Sequence, residues 1–290
     1  MSDLVQLGAK PLSRSRPAAA PRNRAPWARR VVIFTSGKGG VGKSTVAVNA
    51  AVALAQRGLA VGLLDADVHG PSVPRLLGLG EERLRWDGDR MVPAENFGLR
   101  VMSVGFTTPE ADTPLVWRSA VATHALVQLL DDVAWGPLDV LAVDLPPGTG
   151  DVQLTLVQEL PVAAAVVVTT PQAVATDDVR RALRMLQELR VPVAGVVENM
   201  SCFVAPDTGA VYRPFGEGGG RRLAGDYGVP FLGEIPLDGA IREASDAGAP
   251  IAATGAPARR EPFTTLAARL VAALDLQAVA PARPRGMPGG

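Results

Sequence analysis

The 290 residues carry 29 basic and 29 acidic side chains, so formal net charge is zero and the pI is near neutral. That balance gives no support to a general polyanion-binding surface, and no apolar run is long enough to span a bilayer. One cysteine, Cys202, excludes an intrachain disulfide and fits a reducing, cytoplasmic setting.

Residues 1–30 hold six arginines, among them Arg24, Arg29 and Arg30, and prolines at 11, 17, 21 and 26. This segment has no apolar stretch of the secretory kind and predicts a flexible basic arm, with an organelle transit peptide as a minor alternative. The β-branched and aromatic run 31–34 predicts a buried strand. Residues 43–57 are Ala-rich without Gly or Pro and predict a helix stopped by Gly58. Between them, Ser36-Gly-Lys-Gly-Gly-Val-Gly-Lys-Ser-Thr45 contains the phosphate-loop pattern from Gly37 to Ser44. Phosphates need inward N–H groups, which glycines let approach, and a helix N-terminus adds partial positive charge. Gly37, Lys38, Gly39, Gly40, Val41, Gly42, Lys43, Ser44 and Thr45 are therefore the nucleotide-binding candidates. Lys43 faces the β- and γ-phosphates, and the Ser44 hydroxyl holds Mg²⁺. Of only three lysines among 29 basic residues, two (Lys38 and Lys43) lie in this loop. A compact ammonium fits among phosphate oxygens where a guanidinium fork does not.

Further strands are expected at 60–64, 99–104, 138–143, 163–168, 192–197 and 230–235, and helices at 120–133, 177–189, 240–247 and 263–274. Alternation of this kind predicts an α/β chain, a three-layer fold with a mostly parallel sheet and helices on both faces. The domain spans 31–275, and 276–290 is a Pro/Gly-rich disordered tail. Ligands of such sheets bind beyond the carboxyl ends of the strands, and every chemical motif here sits at that edge.

Asp65 and Asp67 end the second strand; Asp67 is placed to orient an attacking water and Asp65 to support the metal shell. Asp144 follows the apolar run 138–143, the place of a water-mediated Mg²⁺ ligand. After it, Pro146-Pro147-Gly148 form a stiff turn in which the Gly148 N–H senses the γ-phosphate. Asp151 caps the helix that follows. Asn199 offers a donor and an acceptor that match adenine, or it satisfies a turn; physics alone leaves both open. His69 and His124 have no partner at metal-ligand spacing and read as structural. Gly218-Gly-Gly220 reads as a tight helix entry.

These motifs, with Leu64-Asp-Ala-Asp-Val-His-Gly-Pro-Ser72, Asp144-Leu-Pro-Pro-Gly-Thr-Gly-Asp151, Thr170-Pro-Gln172, Glu198-Asn-Met-Ser201 and Gly233-Glu-Ile-Pro-Leu-Asp238, resemble the Mrp/ApbC group of deviant-Walker P-loop ATPases, relatives of MinD and ParA. The likeness runs from about Arg30 to Leu274. It implies slow Mg²⁺-dependent ATP hydrolysis and delivery of iron–sulfur clusters to apoprotein clients by a nucleotide-sandwich homodimer. It also implies that Lys38 reaches the partner's phosphates and that Asn199 holds adenine. Catalysis then rests on Lys38, Lys43 and Asp67, and Mg²⁺ on Ser44, Asp65 and Asp144.

Three departures accompany the likeness. The group's Cys-x-x-Cys pair falls on Ala205 and Thr208, leaving Cys202 as the sole candidate cluster ligand. A dimer then offers two thiolates where a cluster wants four, so cluster binding is expected to be weak, labile or absent. Arg118-Ser-Ala-Val121 replaces the group's Arg-Gly-Pro-Met, and the basic arm stands where many members carry a small N-terminal domain. The alternatives are a cluster-free regulatory ATPase and a ParA- or MinD-like positioning switch. Against the latter, the tail from Ala280 cannot form a basic amphipathic helix, and only the first thirty residues are basic. Neither a membrane nor specific nucleic acid is expected as partner.

Overall fold

The computed structural model describes residues 23–68, 70–107 and 119–276. In chain order its elements are β1 (Ala28–Ser36), α1 (Lys43–Gln56), β2 (Val61–Asp65), α2 (Val73–Leu76), β3 (Arg85–Asp87), β4 (Arg90–Val92), β5 (Ala94–Asn96) and β6 (Leu99–Ser103). There follow α3 (Ser119–Asp131), β7 (Leu138–Asp144), α4 (Asp151–Glu159), β8 (Val162–Thr169), α5 (Ala173–Glu188) and β9 (Val193–Asn199). The chain closes with β10 (Phe203–Val204), β11 (Val211–Tyr212), α6 (Gly219–Tyr227), β12 (Phe231–Ile235), α7 (Gly239–Asp246), α8 (Ile251–Thr254) and α9 (Pro257–Ala273).

Eight strands form one sheet in the order β12-β9-β8-β1-β7-β2-β6-β5, parallel except for β5, which runs antiparallel to β6. The central strands are continuous Val, Ile, Leu and Ala runs because helices cover both faces. Right-handed crossovers put α1 and α2 on one face and α3 to α6 on the other, and α8 and α9 pack onto α1. Connections leave β1 and β7 toward opposite faces, which opens a crevice at their carboxyl ends. The parallel three-layer architecture expected from the sequence is thus the observed one.

The differences have local causes. Residues 24–30 are not a flexible arm: Ala25 is buried, Trp27 stacks on Trp135 with ring centroids 5.4 Å apart, and β1 begins at Ala28. Arg24 pairs with Asp131 at the end of α3 and Glu159 at the end of α4. Residues 1–22, the tail from residue 277, His69 and Arg118 lie outside the described residues. Helix α5 starts four residues before the acidic pair Asp177-Asp178 that reads as its beginning. Helix α9 runs through Pro262, because Pro257 sets its entry at N1 and Phe263, Leu266, Ala267 and Leu270 bury their side chains. The N-cap of α4 is Gly150, so Asp151 is the first helical residue and not a cap.

Candidate functional site

The parallel register aligns the candidate acids without further adjustment. Ser103, Asp65, Asp144 and Phe34 are successive cross-strand partners at the ends of β6, β2, β7 and β1. Phosphate-loop residues follow β1 directly, and α1 begins at Lys43 with Gly42 as its left-handed N-cap. Gly40 and Gly42 have φ of 80° and 79°, conformations that glycine adopts without strain. A Cβ added at Gly39 or Gly40 would meet nothing within 4 Å, so the crest of the loop is open.

Gly37 has a different reason. A Cβ there would lie 2.3 Å from the Asp178 carbonyl carbon and 2.4 Å from the Val179 nitrogen. Its identity is dictated by the close approach of the loop to the α5 backbone, a packing role that the phosphate-loop reading alone does not supply.

Lys43 is 6 % exposed and its Nζ lies 2.5 Å from Oδ1 of the fully buried Asp144. It also lies 3.3 Å from the Ser44 hydroxyl. The other Asp144 oxygen, Oδ2, is buried with no hydrogen-bond partner. Burial pushes the Asp144 carboxyl above the usual range; Lys43 pulls it down and the Asp67 charge pushes it further up. An unsatisfied carboxylate oxygen and a serine hydroxyl near it are oxygen ligands that suit Mg²⁺, which takes few carboxylates and keeps water.

Asp65 sits differently. Its Oδ1 accepts from the Asp67 N–H (3.2 Å); its Oδ2 accepts from the Val73 N–H (3.2 Å) and the Ser103 hydroxyl (3.0 Å). Burial, then the Asp144 charge, push its pKa up to about 7. In this arrangement Asp65 ties β2 to the loop carrying Asp67 and to α2, with both oxygens already engaged by protein donors. Asp67 is half-buried at that loop.

Gly148 has φ 90° and donates its N–H to the Ser36 carbonyl at 3.0 Å, so the expected phosphate sensor is held by the phosphate loop itself. Asn199 donates from Nδ2 to the Val41 carbonyl at 2.8 Å. It borders a cleft of about 370 Å³ with Gly42, Thr45, Met200, Pro236 and Leu237. That volume is in the range of small-ligand sites, and the cleft opens directly beside the loop. Lys38 is half-exposed and makes no ion pair among the described residues.

Cys202 is half-buried, with the Ser201 hydroxyl 3.9 Å from its sulfur. Ala205 and Thr208 lie in the hairpin that joins β10 to β11, closed by Gly209 N–H to Ala205 O (2.8 Å) and Ala205 N–H to Ala210 O (2.9 Å). Among the described residues no three His, Cys, Asp or Glu side chains gather as a metal site. His124 is exposed on α3. The triple glycine does open α6: Gly218 is its left-handed N-cap, and the Gly220 N–H donates to the buried Glu198 carboxylate at 2.5 Å. Burial raises the Glu198 pKa.

Sequence reasoning missed Ser103, whose position at the end of β6 is the available signal, and Gln153. Gln153 is the third residue of α4, buried, and donates from Nε2 to the Pro146 carbonyl.

A family model described as NUBPL iron-transfer P-loop NTPase, of the ParA group, matches residues 28–271. An iron-sulfur cluster carrier protein of Aquifex aeolicus is 51% identical over 231 residues, 79% of this chain and 64% of its own length. Against that relative the chain spans less than two thirds of the sequence. An iron-sulfur cluster carrier protein of Pyrococcus abyssi is 46% identical over 280 residues, 93% of both chains. Among solved structures, a nucleotide-binding protein from Archaeoglobus fulgidus in complex with ADP superposes with a TM-score of 0.69 at 39% identity, covering 78% of this chain and 88% of that one. With the loop, the Lys43–Asp144 pair and the sheet order already in place, these matches establish that the chain belongs to the ParA-group family of NUBPL iron-transfer P-loop NTPases.

Proposed function

We propose that this protein is a Mg²⁺-dependent ATPase that works as a homodimer in the cytoplasm, delivering iron–sulfur clusters to apoproteins. The observation that carries the nucleotide part is the buried Lys43–Asp144 pair with its unpartnered Oδ2, set at the mouth of the phosphate loop. Ser44 Oγ and Asp144 Oδ2 are the atoms that would hold Mg²⁺, which when bound neutralises charge on the β- and γ-phosphate oxygens. Lys43 turns from Asp144 to the phosphates. Asn199 and the cleft beside it take the base, and Asp67 orients the attacking water. Asp65 acts from behind as the anchor of the Asp67 loop, a narrower part than direct metal support.

Lys38 is the group left for the neighbouring subunit. Lys43 already serves the phosphates of its own chain, and a half-exposed ammonium without an ion pair among the described residues is free to cross an interface. Lys38→Ala is expected to lower turnover by about 10³-fold, by analogy with an arginine finger acting in trans. Steady-state ATPase assays with light scattering for mass test this; a monomer hydrolysing ATP at the full wild-type rate sinks the dimer mechanism.

The cluster is cargo, and its handling departs from a thiolate-caged scheme. Two Cys202 side chains per dimer leave the remaining ligands to be supplied by the client or a second carrier. A cluster-free regulatory ATPase is the second reading, favoured by Ala205 and Thr208 in the hairpin.

A further inference from the structure

The loop between β7 and α4, residues 145–150, is tied down at three points. Leu145 N–H donates to Phe34 O (3.1 Å), Gly148 N–H donates to Ser36 O (3.0 Å), and Gln153 Nε2 donates to Pro146 O. Pro146 is buried and has no N–H, so it can be held only through its carbonyl, and Gln153 supplies that donor, while Pro147 beside it is exposed. A carbonyl only accepts, so this contact fixes which end of the amide is nitrogen. The other end, Gln153 Oε1, is buried and has no partner.

Such an acceptor is expensive to leave unmade, and its position suggests what would satisfy it. Gly150 is the N-cap of α4, and Gln153 is therefore its N3 residue. In a capping box the N3 Glu or Gln reaches back to the N-cap N–H. Here half of that arrangement is in place: the right residue stands at N3, Gly150 has the extended backbone of a cap (φ −80°, ψ 174°), and no side chain caps the helix. Gln153 is instead turned to Pro146. Gly148 lies between them. Its φ is 90°, a region that glycine adopts without strain, and a Cβ there would meet nothing within 4 Å, so the space beside it is open.

We propose that Gln153 is a positioning residue with two settings, a deepening that rests on the ATPase reading above. With Gly148 bonded to Ser36, Gln153 holds only Pro146. When Gly148 N–H exchanges Ser36 O for the γ-phosphate, Gly150 moves with it and its N–H closes onto Gln153 Oε1. Pro146 stays pinned throughout, so the motion is confined to residues 147–150. The γ-phosphate is thereby coupled to the first turn of α4, whose far end at Glu159 is paired with Arg24.

Gln153→Met keeps the length and volume of the side chain and removes both polar ends; Gln153→Glu keeps an acceptor at N3. Turnover, ADP affinity by calorimetry, melting temperature, and hydrogen exchange of the 148–152 amides with ADP and with a non-hydrolysable ATP analogue are measured on the full chain. Gln153→Met is expected to lower turnover about ten- to a hundredfold, the range set by one buried acceptor. It should leave ADP affinity near wild type, lower the melting temperature modestly because Pro146 O loses its donor, and lose the extra protection that the ATP analogue gives the 148–152 amides. Gln153→Glu should recover that protection in part, because its carboxylate accepts from the Gly150 N–H but cannot donate to Pro146 O. Two results overturn the inference: wild-type turnover and protection in Gln153→Met, or a fall of turnover and ADP affinity together, which marks a merely structural residue. If the wild-type protein binds the analogue but hydrolyses nothing, the ATPase reading fails, and the exchange experiment still decides the two settings of Gln153.

Discussion

The phosphate loop with Asp144 and the 203–212 hairpin both lie beyond the carboxyl ends of the strands, yet they are held in opposite ways. At the loop, specific side chains are locked together: Lys43 on Asp144, Asn199 on the Val41 carbonyl, Asp65 on three donors. In the hairpin main-chain bonds close the turn with help from the Asp207 and Thr208 side chains, Ala205 is buried, and Val204, Val211 and Tyr212 stand exposed. Buried polar groups must be matched partner by partner, so the first region tolerates few replacements. An exposed turn held by main-chain bonds tolerates many. A chain built this way can therefore keep its phosphate loop while the hairpin beside it varies.

That contrast breaks most sharply at Lys43. Lys43→Ala leaves a fully buried carboxylate without its cation, which is expected to destabilise the fold by about 3–5 kcal/mol and to abolish nucleotide binding. Thermal melts and calorimetry read both effects, and an unchanged affinity would remove the nucleotide site as assigned. The opposite experiment belongs to the hairpin. For Ala205→Cys with Thr208→Cys, anaerobic reconstitution with iron and sulfide should raise cluster occupancy sharply above the parent's. No gain in visible absorbance means that the hairpin is not a cluster site in this protein.

Gly37→Ala sharpens the comparison from within the loop. The new methyl would press on the backbone of Asp178 and Val179, which cannot turn aside as a side chain can, so a loss of about 1–3 kcal/mol is expected in chemical denaturation. A neutral result would mean that α5 yields at that contact.

A further effect is in pH. Asp65 has a carboxyl raised from 3.8 to about 7 by burial and by Asp144. For a carboxyl raised on folding, the stabilising contribution is fully present below the unfolded value and is lost as pH rises through the folded one. Stability should fall between about pH 4 and 7, and Asp65→Asn should flatten that slope. A slope unchanged by the substitution would assign it to another group.

The sequence exposed most of this architecture because a parallel sheet writes itself as continuous apolar runs, and because a phosphate loop is local. It hid what depends on contacts between distant segments. The antiparallel edge β5 and the β3–β4 hairpin are three-residue strands with no periodicity to detect. Arg24 looked like one more arginine of a basic arm, and only the ends of α3 and α4 reveal its partners. Gly37 carries a motif letter that conceals its contact with α5. Gln153 lies in plain view three residues after Gly150, but its unsatisfied oxygen is a property of the folded interior.

The anchoring of Arg24 and Trp27 has a practical consequence. Nine residues of β1, at about 3.3 Å each, separate that anchor from the phosphate loop by roughly 30 Å. A rigid affinity or fluorescent module joined just before Arg24 would thus be displayed from the opposite rim of the sheet. The nucleotide cleft and any face formed around Lys38 would stay open for titration, whereas trimming the chain to residue 31 would unpick the clasp between two helices.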